Sequence, residues 1–358
     1  MVIRFSIYIL LLLLLASSCS TSENTEEAYM ATPLALEIPQ LFQDRILPPV
    51  TSPTNPQSVE GVALGRKLFF DPILSADGTQ ACASCHNPQN AFSDERRFSV
   101  GIDGSIGTRN SMPLHNLAWN YNQKFFWDGR AITIEEQIFG PVTNPIEMKN
   151  TWPNAVASLQ NQTTYPELFR EAFGTTTIDS VLVSKAIAQF LRTLISANSR
   201  FDRHLMGENI LTPQELNGID VFMNESKGDC FHCHGNPFNP LWTDNTFHNN
   251  GLDETFSDLG LGNVSGDPRD NGKFKAPSLR NLAFTAPYMH DGRFETLEEV
   301  INHYSEGLVF SETIDPLMKT IAQGGVQLTE SDKADLKAFL LSLSDSGFIN
   351  NPDFQNPN

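Results

Sequence analysis

Apolar residues recur every three or four positions along most of this chain and almost nowhere in strict alternation. Thr133 to Phe139, Tyr165 to Phe173 and the longest run, Ile178 to Leu205, all carry that helical period. A short helix is predicted through Leu64-Gly65-Arg66-Lys67-Leu68-Phe69-Phe70, where ordered structure should begin near Ser58. Three further helices are signalled at their start points. Thr212-Pro213-Gln214-Glu215, Thr296-Leu297-Glu298-Glu299 and Thr329-Glu330-Ser331-Asp332 each place a hydroxyl to cap backbone N–H groups and an acid three residues on. No stretch alternates long enough for a sheet, so the fold class is mostly α. Residues 235–272, rich in Asn, Asp and Gly, read as a long irregular loop.

The two ends have a different pattern. Arg4 precedes an apolar run from Phe5 to Leu15 and the small residues Ala16-Ser17-Ser18 before Cys19, which predicts a signal peptide over residues 1–18. Cys19 is placed for lipid attachment, as in a bacterial lipoprotein box, although Ala16 stands where that box prefers leucine; an ordinary secretory signal is the alternative. Residues 19–57, first Ser/Thr/Glu-rich and then proline-rich, are expected to form a flexible tether, and residues 346–358 a disordered tail. Both versions of the leader put the protein on the periplasmic side of a bacterial membrane.

The chemistry lies in Cys82-Ala83-Ser84-Cys85-His86 and its echo, Cys230-Phe231-His232-Cys233-His234. In such a motif two thiols can add to the vinyl groups of one haem, and the histidine then ligates its iron. A four-thiolate zinc site would leave His86 and His234 without a role, and a redox dithiol needs no second copy, so two covalently attached c-type haems are expected. The 5 cysteines divide into one anchor and four thioether positions, with none left for a disulfide. A formal charge of −18 argues against nucleic acid and fits a small basic electron-transfer protein steered by charge.

The halves also repeat beyond these motifs. Leu114-His115-Asn116-Leu117-Ala118 is answered by Leu279-Arg280-Asn281-Leu282-Ala283. Trp127-Asp128-Gly129-Arg130 before Thr133 is answered by His290-Asp291-Gly292-Arg293 before Thr296. Two tandem cytochrome c-like domains are therefore expected, at 58–208 and 209–345, divided near 205–212.

These residues, with Leu64 to Asp71, Arg109-Asn110, Phe126 to Arg130, Gln137, Pro141, Glu147-Met148 and Pro287 to Gly292, resemble the bacterial di-haem cytochrome c peroxidase/MauG family from about residue 58 to 345. The resemblance implies that the first haem is the peroxidatic one, with Glu147 as proton shuttle over its distal face. Gln137 and Pro141 would line that pocket, with Gln137 a hydrogen-bond partner for peroxide or for Glu147. Trp127 would carry electrons between the haems. It also implies a calcium ion held by Asn110, Thr285 and Pro287.

Two positions depart from the reductively activated members. The loop 98–108 contains no histidine or methionine to cap the first iron. Tyr304 stands where those members place a methionine on the second iron, as in the MauG branch; Met289 and Met318 are the alternative ligands, and His248, His290 and His303 qualify on chemistry alone. The implied reaction is reduction of hydrogen peroxide with electrons from a cytochrome c or cupredoxin. The rivals are MauG-type oxidation of a protein substrate and a non-catalytic di-haem carrier or sensor. A homodimer is one assembly the sequence allows.

Overall fold

The computed structural model of the protein describes residues 29–208 and 210–357. Among them the helices follow in the order α1 (Gln40–Arg45), α2 (Val59–Phe70), α3 (Ile134–Thr143), α4 (Trp152–Gln160), α5 (Tyr165–Phe173), α6 (Ser180–Thr193) and α7 (Arg200–Leu205). Then come α8 (Pro213–Met223), α9 (Phe231–His234), α10 (Gly262–Ser265), α11 (Leu297–Glu306), α12 (Glu330–Ser342) and α13 (Ser346–Ile349). The only sheet among the described residues is a two-residue antiparallel ladder of β1 (Phe247–His248) with β2 (Phe274–Lys275). The predicted caps form: Thr212, Thr296 and Thr329 each accept a backbone N–H three residues on, and Thr133 does the same at the start of α3. Replacing one such cap by alanine typically costs about 1 kcal/mol. No helix among the described residues is long and apolar enough to cross a membrane. The expected signal peptide and the Cys19 anchor lie outside the described residues.

Two apolar cores organise the chain. The first gathers Leu64, Leu68 and Phe69 of α2 with Phe92, Phe169 and Phe190. The second gathers Val221 and Phe222 of α8 with Trp242, Ile301, Leu336 and Phe339. Each rests on a pair of helices in backbone contact through a glycine. A Cβ on Gly65 would lie 1.9 Å from the Ala186 carbonyl oxygen of α6, and one on Gly218 2.1 Å from that of Asp335 in α12. Between the cores the repeated asparagines close on one crossover residue. Asn116 exchanges two hydrogen bonds with the Ser196 backbone, both 2.9 Å, and Asn281 donates to the Ser196 hydroxyl at 3.0 Å.

Four expectations are corrected. The run from Ile178 to Leu205 is two helices: α6 stops at Thr193, and Ser199 starts α7 in a capping box with Asp202. Phe201 of α7 packs 5.2 Å from Phe339, so the halves divide at about 194–199 and not near 205–212. The segment 19–57 is anchored in its later part, since α1 buries Leu41 and Phe42 against Trp119 and Leu241. The 346–358 tail is folded as well: Phe348 and Phe354 join the first core. In both segments, well-spaced apolar anchors outweigh a polar, proline-containing composition.

Candidate haem sites

In the first motif Cys82–Ser84 form a single 3-10 turn, and the His86 Nδ1–H donates to the Phe92 carbonyl at 2.8 Å. That bond assigns the ring proton to Nδ1 and leaves the Nε2 lone pair for a metal. Burial lowers the His86 pKa and keeps the ring neutral. Burial, then Cys85, pushes the Cys82 thiol up to about 12. A redox thiol, by contrast, needs its thiolate stabilised. Uncharged sulfurs beside a neutral imidazole suit thioether attachment, and none of the four motif cysteines is in a disulfide.

Glu147 follows α3 on a turn fixed by its neighbours. Asn144 Nδ2 donates to its Oε1 at 2.6 Å, and its carbonyl accepts the Ile102 N–H at 3.1 Å. Burial raises the Glu147 pKa, against the lowering effects of Asn144 and Arg130. Its charge reaches the Cys82 thiol, which it raises further, so this carboxyl belongs to the surroundings of the first motif. The 98–108 loop is held tightly over that turn: a Cβ on Gly101 would lie 2.3 Å from the Ile146 carbonyl oxygen. Pro141 lies within α3, half-buried, and its carbonyl accepts the Met148 N–H at 3.3 Å. Gln137 makes no hydrogen bond to Glu147 among the described residues. It lines a cavity of about 60 Å³ with Phe126, His115, Asn120 and Lys275.

The second motif opens on a cavity of about 220 Å³ lined by Cys230, Cys233 and His234, with Leu279, Ile301, Leu336 and Leu340 among its apolar walls. The His234 Nδ1–H donates to the Pro277 carbonyl at 3.2 Å, and burial pushes this histidine down to about 4. Tyr304, Met289 and Met318 all line the cavity. Asn250 Nδ2 donates to the Tyr304 oxygen at 3.0 Å and lies 3.6 Å from the Met289 sulfur. Burial pushes the Tyr304 phenol up to about 12. His248 and His290 line the cavity too, with other partners: His248 lies between Asp315 (2.6 Å) and Asp244 (2.8 Å), and His290 is stacked 3.6 Å from Phe274, while His303 sits on the Asn250 carbonyl.

Trp127 belongs to the first half and lines the second cavity. Its indole N–H donates to the Asn110 carbonyl at 2.8 Å, and its own carbonyl accepts the Lys275 N–H at 2.9 Å. Asn110 is brought to the segment carrying Thr285 and Pro287, donating its N–H to the His290 carbonyl at 2.7 Å. No group of three His, Cys, Asp or Glu side chains among the described residues could hold a metal, so a calcium ion here would need carbonyl oxygens. Sequence reasoning missed Lys275. It is buried, lines both cavities, and is pushed down to about 8 by burial, with its ammonium on the Lys124 carbonyl at 3.1 Å. Its one signal was a lysine between Phe274 and Ala276-Pro277, shortly before the repeated Leu279-Arg280-Asn281.

Comparison with known proteins agrees with this chemistry. A family model described as di-haem cytochrome c peroxidase matches residues 59–210. The methylamine utilization protein MauG of Methylophilus methylotrophus is 36% identical over 295 residues, 81% of this chain and 84% of the relative. The cytochrome c peroxidase Ccp of Escherichia coli is 36% identical over 301 residues, covering 81% of this chain and 59% of the relative. A solved MauG-like protein associated with microbial copper homeostasis superimposes with a TM-score of 0.81 at 35% identity, covering 90% of this chain and 99% of that one. With two haem-attachment motifs in one helical chain, the protein belongs to the di-haem cytochrome c peroxidase/MauG family.

Proposed function

We propose that this chain, two tandem cytochrome c-like domains, reduces hydrogen peroxide to water at the first motif, drawing electrons from a small redox protein through the second. The observation that carries the reading is Glu147: a half-buried carboxyl with a raised pKa, oriented by Asn144 and close enough to bias Cys82. Cys82, Cys85 and His86 would hold the first haem, and Cys230, Cys233 and His234 the second. When bound, the haem supplies the iron that takes peroxide and passes it electrons. Glu147 takes the proton from the inner oxygen of peroxide and returns it to the outer one, which leaves as water. Two further protons and two electrons release the second water. Pro141 braces the turn that carries Glu147, Gln137 is given a place in the same pocket by the family resemblance alone, and Trp127 offers an aromatic route between the sites. The absence of histidine and methionine from the 98–108 loop supports a first iron that is open without prior reduction.

The acidic surface supports a basic cytochrome c or cupredoxin as donor. Placement on the periplasmic face through Cys19 rests on the leader, and metabolic labelling with a lipid precursor, compared with Cys19→Ser, tests it. A calcium between the halves rests on Asn110 lying beside the 285–290 segment; its loss on chelation, read by elemental analysis, tests that.

A second reading, MauG-type oxidation of a protein substrate, is favoured by Tyr304 in the second cavity and by the MauG relatives. Two measurements decide. Glu147→Gln should retain both haems and lose about 10²–10⁴-fold in peroxide turnover; an unchanged rate would remove Glu147 from the proton transfer, and a wild-type protein without turnover would leave a non-catalytic carrier. Stoichiometric peroxide added to the fully oxidised protein, followed by stopped-flow absorbance, should change the haem spectrum at once without reductant. No change until an electron is supplied would sink the open-iron reading.

A further inference from the structure

The turn after the first motif is held in a costly conformation. Ala91 and Phe92 both occupy the left-handed region, at φ 49° and 62°. Residues with side chains persist there only when packing enforces it. The carbonyl that this turn presents is the one accepting the His86 Nδ1–H. What packs on the turn comes from the far end of the chain. The rings of Phe348 (2% exposed) and Phe354 (8%) lie 5.7 and 6.5 Å from that of Phe92, and 5.3 Å from each other. Polar contacts fasten the same segment. Gln89, within the turn, donates to the Ile349 carbonyl at 3.2 Å, and Arg66 donates to the carbonyls of Pro352 and Gln355 at 2.6 and 2.8 Å. The root of the segment, Asp345, accepts the N–H groups of Ala197 and Asn198 at 3.2 and 2.9 Å. At the second site the acceptor is Pro277, whose ring fixes its own φ without outside help.

We infer that Phe348 and Phe354 are positioning residues for His86, clamping the 87–93 turn so that the Phe92 carbonyl keeps its hydrogen bond and sets the potential of the first iron. A firm Nδ1–H···O bond makes the imidazole a stronger donor and favours oxidised iron, so loosening the clamp raises the potential. The inference rests on His86 as iron ligand and is independent of peroxide chemistry.

The test is a spectroelectrochemical titration of the full-length, haem-loaded protein. Phe348→Ala and Phe354→Ala should each shift the first haem's midpoint potential upward and leave the second in place. Phe348→Leu, which refills most of the space, should bring it back. Phe169→Ala removes a fully buried ring (0% exposed) from the same core, away from the turn. It should lower the melting temperature and move neither potential. The inference is overturned if Phe348→Ala and Phe354→Ala leave both potentials at their wild-type values, or if Phe169→Ala moves the first as far. His86→Gly separates the two failures. If it leaves the first haem's spectrum unaltered, the ligand assignment falls; if it changes the spectrum while the phenylalanine variants change nothing, only the clamp falls.

Discussion

In the first half α2 meets α6 through Gly65, and four positions later Phe69 enters the core; in the second half α8 meets α12 through Gly218, and Phe222 enters in the same way. The apolar plan is shared and the polar fittings are not. Arg280 is fully buried and holds Asp202 with two 2.7 Å bonds, while its counterpart His115 is buried with no hydrogen bond at either ring nitrogen. Proximal acceptors differ too, a loop carbonyl at Phe92 against a proline carbonyl at Pro277. Near the first motif lies the Glu147 carboxyl, and the second cavity is lined by the Tyr304 phenol with the thioethers of Met289 and Met318. Shape complementarity tolerates duplication, because both copies need the same helix contact. Polar groups are free to diverge, because the helix contact does not depend on them.

That contrast can be broken in three ways. Asp202→Ala strands a buried guanidinium and should cost about 3–5 kcal/mol in chemical denaturation, whereas His115→Leu should cost under about 1 kcal/mol, having no hydrogen bond to lose. Equal losses would show that the two positions do the same work. A smaller effect is expected at the second iron. Tyr304→Phe should change the second haem's spectrum and potential and leave the first unmoved; an unchanged second haem would transfer the ligand role to Met289 or Met318. The smallest effect concerns pH. Burial, then Arg280, pushes His115 down to about 3 from 6.5. The unfolded chain therefore binds a proton that the folded one does not between these values, and this contribution to stability is lost as pH falls from 6.5 towards 3. His115→Leu should flatten that part of the stability curve; an identical slope in both proteins would mean that other groups control it.

Much of this was legible in the sequence. The Thr caps marked where α8, α11 and α12 begin, because a hydroxyl and the N–H it satisfies lie within one turn. The break between α6 and α7 was hidden because apolar period reports which face is buried, not whether backbone hydrogen bonds continue. The Ser199–Asp202 capping box was the available signal. Phe348 and Phe354 escaped because Phe92, on which they pack, is remote in sequence. At the sites, the haem motifs needed no tertiary information. The direction of Gln137 did, as did the choice among Tyr304, Met289 and Met318, since it depends on how separate loops close over one cavity.

The crossover at Ser196 has a dynamic consequence. Asn116 grips it from one half, Asn281 from the other, and Asp345, whose N–H donates to the Asn281 side chain at 2.9 Å, adds its carboxylate to the next two N–H groups. A connection tied at both ends is a weld and not a hinge, so the two redox centres should keep one separation throughout turnover. Electrons would then cross a gap of constant width. Their rate should follow driving force and temperature, and be indifferent to solvent viscosity.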